Sequence, residues 1–88
     1  MIKVHIHPRG KGLAKPTKCK FIVPETMLFC HFVAKIRNQY AKLEPNQAVF
    51  YFVGGTMPLM TASMGELWKT CNCPDVMDID YELENVFG

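Results

Sequence analysis

The chain closes on Glu84-Asn-Val-Phe-Gly88. A terminal glycine carries no Cβ beside its carboxylate, so it can thread a narrow enzyme channel and be activated as an acyl group. Glycine is common in ordinary sequences, at about 7%, so this handle takes its weight from what precedes it. Two further groups have the composition for chemistry. His5 and His7 share one face of an alternating segment, and Cys71-x-Cys73 follows much later. Together they would supply the four N/S ligands of a zinc site. The cysteine spacing is not the usual C-x2-C, so free thiols and exposed imidazoles are the plainer expectation. The same pair as a redox dithiol is an equally thin signal. Finally, the stretch from Arg9 to Lys20 is basic. It suits an anionic membrane surface or an acidic partner peptide. It suits RNA less, because no aromatic-and-glycine platform accompanies it.

These groups need elements to position them, and the bulk numbers limit what those can be. The 88 residues make one domain, 1–88, of globular composition: 49% hydrophobic and 20% charged. A chain this short buries only about 60–65% of its unfolded surface, so its core is thin. The net charge of +2 does not require a nucleic acid, but its distribution is uneven. Six of ten basic residues lie in the first twenty, and six of eight acids lie from Glu66 onward. Such asymmetry predicts two faces of opposite sign, or two ends that pair. No apolar segment precedes the opening Met1-Ile-Lys-Val, so reduced cysteines are expected. No apolar run approaches the roughly 20 residues of a membrane span.

Ile2, Val4 and Ile6 alternate with Lys3, His5 and His7, which predicts a half-buried strand. Pro8 to Pro16 reads as a basic loop. Lys18 to Val23 predicts a second strand, stopped by Pro24. Thr26 is placed to cap a helix over about 27–40, with Leu28, Phe32, Val33 and Ile36 at helical spacing. Ala48 to Val53 is a continuous apolar run and predicts a buried strand. Met64 to Lys69 predicts a short helical turn, and Val76, Ile79, Tyr81 and Leu83 a last strand. The order strand, strand, helix, strand, short helix, strand fits an α+β fold. Its first two strands form a hairpin, and its last strand fills the centre of a mixed four-stranded sheet. This is the ubiquitin-like β-grasp, with one long helix across the sheet and a flexible tail over about 84–88.

Five segments then act together: Lys20-Phe-Ile-Val-Pro24, Phe32-Val-Ala-Lys-Ile-Arg37, Ala48-Val-Phe-Tyr-Phe-Val53, Met64-Gly-Glu-Leu-Trp68 and Glu84-Asn-Val-Phe-Gly88. In this order and spacing they resemble the autophagy ubiquitin-like modifiers, the family of GABARAP and microtubule-associated protein light chain three. The resemblance covers about Lys18 to Gly88. Members of that group usually carry two helices before the first strand, and this sequence opens at the strand. The sister modifier that is joined to a lysine of a partner protein also lacks those helices.

The resemblance implies a modifier that is no enzyme itself and needs no cofactor or metal. Gly88 would be the conjugation site, linked by activating and conjugating enzymes to phosphatidylethanolamine, or, in the sister group, to a protein lysine. A processing protease would be a further partner. The carrier would be cytoplasmic, and autophagosomal when lipid-linked. Lys20 and Ile22 resemble residues lining one pocket of a peptide groove, and Phe21, Val23, Pro24, Met27 and Phe32 those lining a second. The groove would take an aromatic-x-x-aliphatic peptide of a cargo receptor, added to an edge strand. Val76 stands where a larger aromatic is common and Lys35 where an aliphatic is common. Arg37 resembles an arginine used in partner and protease contacts. Phe50, Phe52 and Phe87 match positions near which processing or conjugating enzymes dock. Outside the family, a small thiol or zinc protein and a basic nucleic-acid-binding domain are the alternatives.

Overall fold

The computed structural model describes residues 1–10, 13, 15–40, 43, 47–71 and 75–84. Four strands, β1 (Ile2–Arg9), β2 (Lys20–Val23), β3 (Val49–Val53) and β4 (Val76–Leu83), form one sheet in the order β2-β1-β4-β3. β1 pairs antiparallel with β2 and parallel with β4, and β3 pairs antiparallel with β4. The last strand thus takes the centre, as the hairpin-and-helix order requires. Alternation decides the faces. Ile2, Val4, Ile6, Phe21, Val23, Tyr51, Val53, Met77, Ile79 and Tyr81 are all buried on one side. Helix α1 (Phe29–Lys35), the π-turn Ile36–Tyr40 and helix α2 (Met64–Thr70) contribute Phe29, Phe32, Ile36, Met64 and Leu67 to the same core.

Four expectations need correcting. The long helix starts at Phe29 rather than Met27, and Leu28, not Thr26, is its N-cap, with no side-chain cap bond. The reason is tertiary. Leu28 is extended and bridges Ser63, while the amides of Phe29 and Cys30 bond the carbonyls of Ala62 and Met60 at 2.8 and 3.0 Å. The loop before α2 therefore satisfies the donors that a cap would have taken. The helix also changes to a π-turn at Ile36. Pro8 lies within β1 rather than in a loop. Pairing with β2 runs from Ile2 to His5, and the hydrogen bond from the Ile6 amide to the Cys19 carbonyl lies just beyond it. Pro8 instead faces Tyr81 in the parallel ladder. β3 is an edge strand and not a doubly buried one, with Phe50 and Phe52 half-buried on the face away from the helices.

Two local features fix the connections. Gly54 and Gly55, at φ 61° and 79°, make the two-residue turn that returns Thr56 to Val53, with bonds of 2.8 and 3.1 Å. Positive φ at both positions is the type I′ geometry that glycine permits. Ser63 Oγ accepts the Glu66 amide at 3.2 Å and caps α2. Among the described residues, no helix is long and apolar enough to cross a membrane.

Candidate functional site

β2 is one edge of the sheet, and its alternation divides its residues sharply. Phe21 and Val23 point into the core at 6% and 3% exposure, while Ile22 is 63% exposed. The ladder shows which backbone groups are free. The Ile6 amide donates to the Cys19 carbonyl at 2.9 Å, so that pair is hydrogen-bonded. In an antiparallel ladder bonded and non-bonded pairs alternate. Val4–Phe21 and Ile2–Val23 therefore also exchange bonds, and the N–H and C=O groups of Lys20 and Ile22 face outward. Among the described residues nothing takes them up. An extended peptide finds there an unpaired template.

The surroundings of this edge are cationic. Lys3, His5, Lys18 and Lys20, with Phe21 and Ile22, line a cleft of about 460 Å³. Lys18 Nζ sits 5.1 Å from the centre of the Phe21 ring and 5.7 Å from that of Tyr40. A cation held over two ring faces stays near the groove. Phe21 also meets Phe32 and Tyr40 edge-on, at 5.7 and 5.1 Å between centroids.

The sequence-predicted site residues divide accordingly. Lys20, Ile22 and Pro24 are exposed on or beside the edge, and Met27 is half-buried next to them. Phe21, Val23 and Phe32 are core residues that back the groove. Arg37 is not brought to this edge. It is half-buried at the far side of the molecule, where its guanidinium donates to the carbonyl of Gln47, just ahead of β3. Phe50 and Phe52 lie on the outer face of β3, 6.5 Å apart. Val76 is half-buried opposite Lys3, and Lys35 is exposed at the end of α1. Phe87, Gly88 and Cys73 lie outside the described residues.

Among the described residues the zinc arrangement is not assembled. His7 Nε2 lies 2.8 Å from Asp78 on the open sheet face, whereas Cys71 packs against the core and its thiol donates to the Val53 carbonyl at 3.6 Å. Among the described residues no three ligating groups converge. Part of the charge asymmetry resolves as ends that pair. His7 meets Asp78, and Arg9 Nε meets Asp80 at 3.1 Å, across the parallel β1–β4 ladder. Sequence reasoning placed Lys18 in the basic stretch that would meet an acidic peptide, but did not find Lys3 and His5 as groove residues. The period-2 alternation of β1 could have found both, once β1 was placed beside β2.

Two buried phenols mark the interior behind the sheet. Tyr51 and Tyr81 stack at 6.0 Å. Burial, with smaller contributions from Cys19 and Tyr51, pushes the Tyr81 phenol up to about 12. Burial raises Tyr51 as well, and the neighbouring Arg37 guanidinium opposes that rise.

Comparison with known proteins agrees with this fold. The family model described as "Autophagy protein Atg8 ubiquitin like" matches residues 3–88. Autophagy-related protein 8h of Arabidopsis thaliana is 32% identical over 72 residues, covering 81% of this chain and 60% of that protein. Autophagy-related protein 8 of Dictyostelium discoideum is 31% identical over 72 residues, covering 81% of this chain and 59% of its own length. The chain thus spans about three-fifths of these relatives. The crystal structure of Trypanosoma brucei ATG8 superposes with a TM-score of 0.81 at 22% identity, covering 99% of this chain and 76% of that one. That likeness shows the ubiquitin-like fold, and the match of the family model over nearly the whole length makes this chain a member of the Atg8 family of ubiquitin-like autophagy proteins.

Proposed function

We propose that the chain is a conjugated autophagy modifier that recruits partner peptides through the β2 edge. The observation that carries the recruiting half is the pair of outward-facing backbone units at Lys20 and Ile22, set beside a cationic cleft. A peptide of the form aromatic-x-x-aliphatic pairs its backbone with β2 and rests its aromatic on Ile22. Its aliphatic residue lies toward Met27. Acids upstream of the aromatic meet Lys3, Lys18 and Lys20, which speeds encounter and fixes register. A groove of this kind supports an affinity on the order of micromolar, about −8 kcal/mol.

The conjugating half rests on Gly88 and on family membership. The glycine carboxylate is adenylated with release of pyrophosphate. A cysteine of the activating enzyme displaces AMP to form a thioester, which passes by exchange to a cysteine of the conjugating enzyme. The amine of phosphatidylethanolamine displaces the last thiol to leave an amide. All catalytic groups belong to those enzymes, and this chain is the acyl cargo. The two acyl chains gained hold a protein on a membrane far more firmly than one.

Intact mass after incubation with the conjugating enzymes and phosphatidylethanolamine vesicles tests this half. The expected gain is one phospholipid, lost in Gly88→Ala and on deletion of Gly88. Lipid attachment undiminished by the deletion overturns the assignment, and an isopeptide adduct to a protein instead points to the sister modifier. For the groove, NMR shifts on adding the peptide should follow Lys20 to Pro24. Shifts that spare this strand and gather around Tyr51 or Trp68 disprove it.

A further inference from the structure

The end of the molecule that carries α2 is built for a different partner. Met57, Leu59 and Met60 are 56%, 74% and 46% exposed, three large apolar side chains within four residues. Their exposure is not slackness. The Ala62 amide bonds the Leu59 carbonyl at 3.1 Å, and the Met60 and Ala62 carbonyls accept from the start of α1. The loop is held with its apolar side chains outward. Clustered exposure of this kind marks an interaction surface more often than it marks chance. Beside it runs an apolar groove of about 230 Å³, walled by Met57, Leu59, Ala62, Leu67 and Cys71. This is below the roughly 300–1,000 Å³ of a small-molecule site and suits protruding side chains.

Charge identifies the occupant. The groove has one charged residue on its wall, Glu66. The same glutamate, with Glu25, borders a second cleft of about 650 Å³ on the other side of α2, against Trp68 and Lys69. There the two carboxylates stand with Lys69, the Met1 ammonium and Trp68. The β2 cleft, where Lys3, Lys18 and Lys20 gather, has no carboxylate on its wall. We propose that the α2 end is a second peptide-docking surface, taking a partner segment in which a leucine-like residue enters the Met57–Cys71 groove while a neighbouring arginine or lysine meets Glu66 and Glu25. This stands apart from the β2 reading and does not depend on it.

The probe is a short peptide with arginines next to a pair of leucines, titrated into the nitrogen-labelled full chain. Shifts are expected at Met57 to Ala62 and Glu66 to Cys71, with β2 spared. Glu66→Lys should weaken binding about tenfold, since it replaces an attraction with a repulsion. Leu59→Ser should weaken it several-fold. Both positions are exposed, so neither variant threatens the fold. The proposal is overturned if a peptide with glutamates in place of the arginines binds as well, or if Glu66→Lys binds unchanged. It is also overturned if shifts at these residues grow with protein concentration alone, which would make the occupant a second copy. An acid-preceded aromatic-x-x-aliphatic peptide run on the same samples reports the β2 groove separately, so the failure of one site is distinguishable from that of the other.

Discussion

Lys20 and Phe21 are neighbours with opposite fates. One ammonium stands in water over the edge of the sheet, and one ring is 6% exposed against Phe32 and Tyr40. Substitutions should separate them. Lys20→Glu should weaken an acid-preceded peptide about tenfold, mostly in its association rate, and leave urea unfolding within about 0.5 kcal/mol. Binding kinetics at two salt concentrations check this, because the lysine's contribution shrinks as salt rises. Gly65 shows a different constraint. A Cβ there would stand 3.1 Å from the Glu25 Cβ and 3.3 Å from the Glu25 carbonyl oxygen. That carbonyl already accepts the Gly65 amide at 3.0 Å and cannot retreat without lengthening the bond. Alanine would ordinarily gain about 0.5–1 kcal/mol over glycine inside a helix. Here we expect Gly65→Ala to lower stability by about 1 kcal/mol, read from the denaturation midpoint.

Two strands border the sheet, and β3 is the more protected of them. On β3, Val53 exchanges both backbone bonds with Thr56, and Arg37 occupies the Gln47 carbonyl, so both ends of that edge are taken up. On β2 the outward groups of Lys20 and Ile22 stay free among the described residues. The outward groups of Val49 and Tyr51 also have no partner among the described residues, so it is the cationic cleft beside β2, more than edge protection, that favours strand addition there. The same element carries a contrast in stability. Ile22→Ser should change stability by under about 0.5 kcal/mol and reduce peptide binding, because Ile22 is exposed and lines the cleft. Phe21→Ala should cost about 3–5 kcal/mol by emptying a packed site. In a domain of this size that is a large part of a total near 5–10 kcal/mol. Thermal unfolding of the two variants, alongside peptide titration, distinguishes the face that binds from the face that folds.

At the scale of the molecule, charge is arranged in three regions. The β2 end is basic, the open face of β1 and β4 is laced by His7–Asp78 and Arg9–Asp80, and the α2 end holds Glu25 and Glu66. These surface pairs are exposed and stabilise little. The interior titration is the larger effect on stability. Tyr81 ionises near 12 when folded, against an ordinary value of 10. The folded state therefore keeps a proton that the unfolded chain gives up between these values. Stability is fully present below pH 10 and falls as pH rises from 10 toward 12, by roughly 1–3 kcal/mol. Denaturant midpoints measured across that window should decline, and in Tyr81→Phe that part of the decline should disappear.

The sequence by itself determined the alternation that sorts every strand into a core face and an outer face. Period 2 is a local property of extended backbone, and it was legible at Ile2, Val4 and Ile6, at Phe21 and Val23, and at Ile79 and Tyr81. The order of elements was legible too, and with it the central place of the last strand and the candidacy of Lys20 to Pro24 as an edge. Phe87 and Gly88 remain positions read from sequence and from the family. What only the tertiary structure decided depends on partners distant in the chain. The start of α1 was fixed by carbonyls of Met60 and Ala62, which outweighed the local capping signal of Thr26. β3 read as doubly buried because a run of apolar residues does not say how many neighbours it will have. Arg37 was drawn to Gln47 and the β3 side by the path of the chain after the helix. Lys3 and His5 joined the cleft because β1 lies beside β2 in that particular register. Pairing register and edge exposure are set by contacts between residues far apart in sequence, and no local period encodes them.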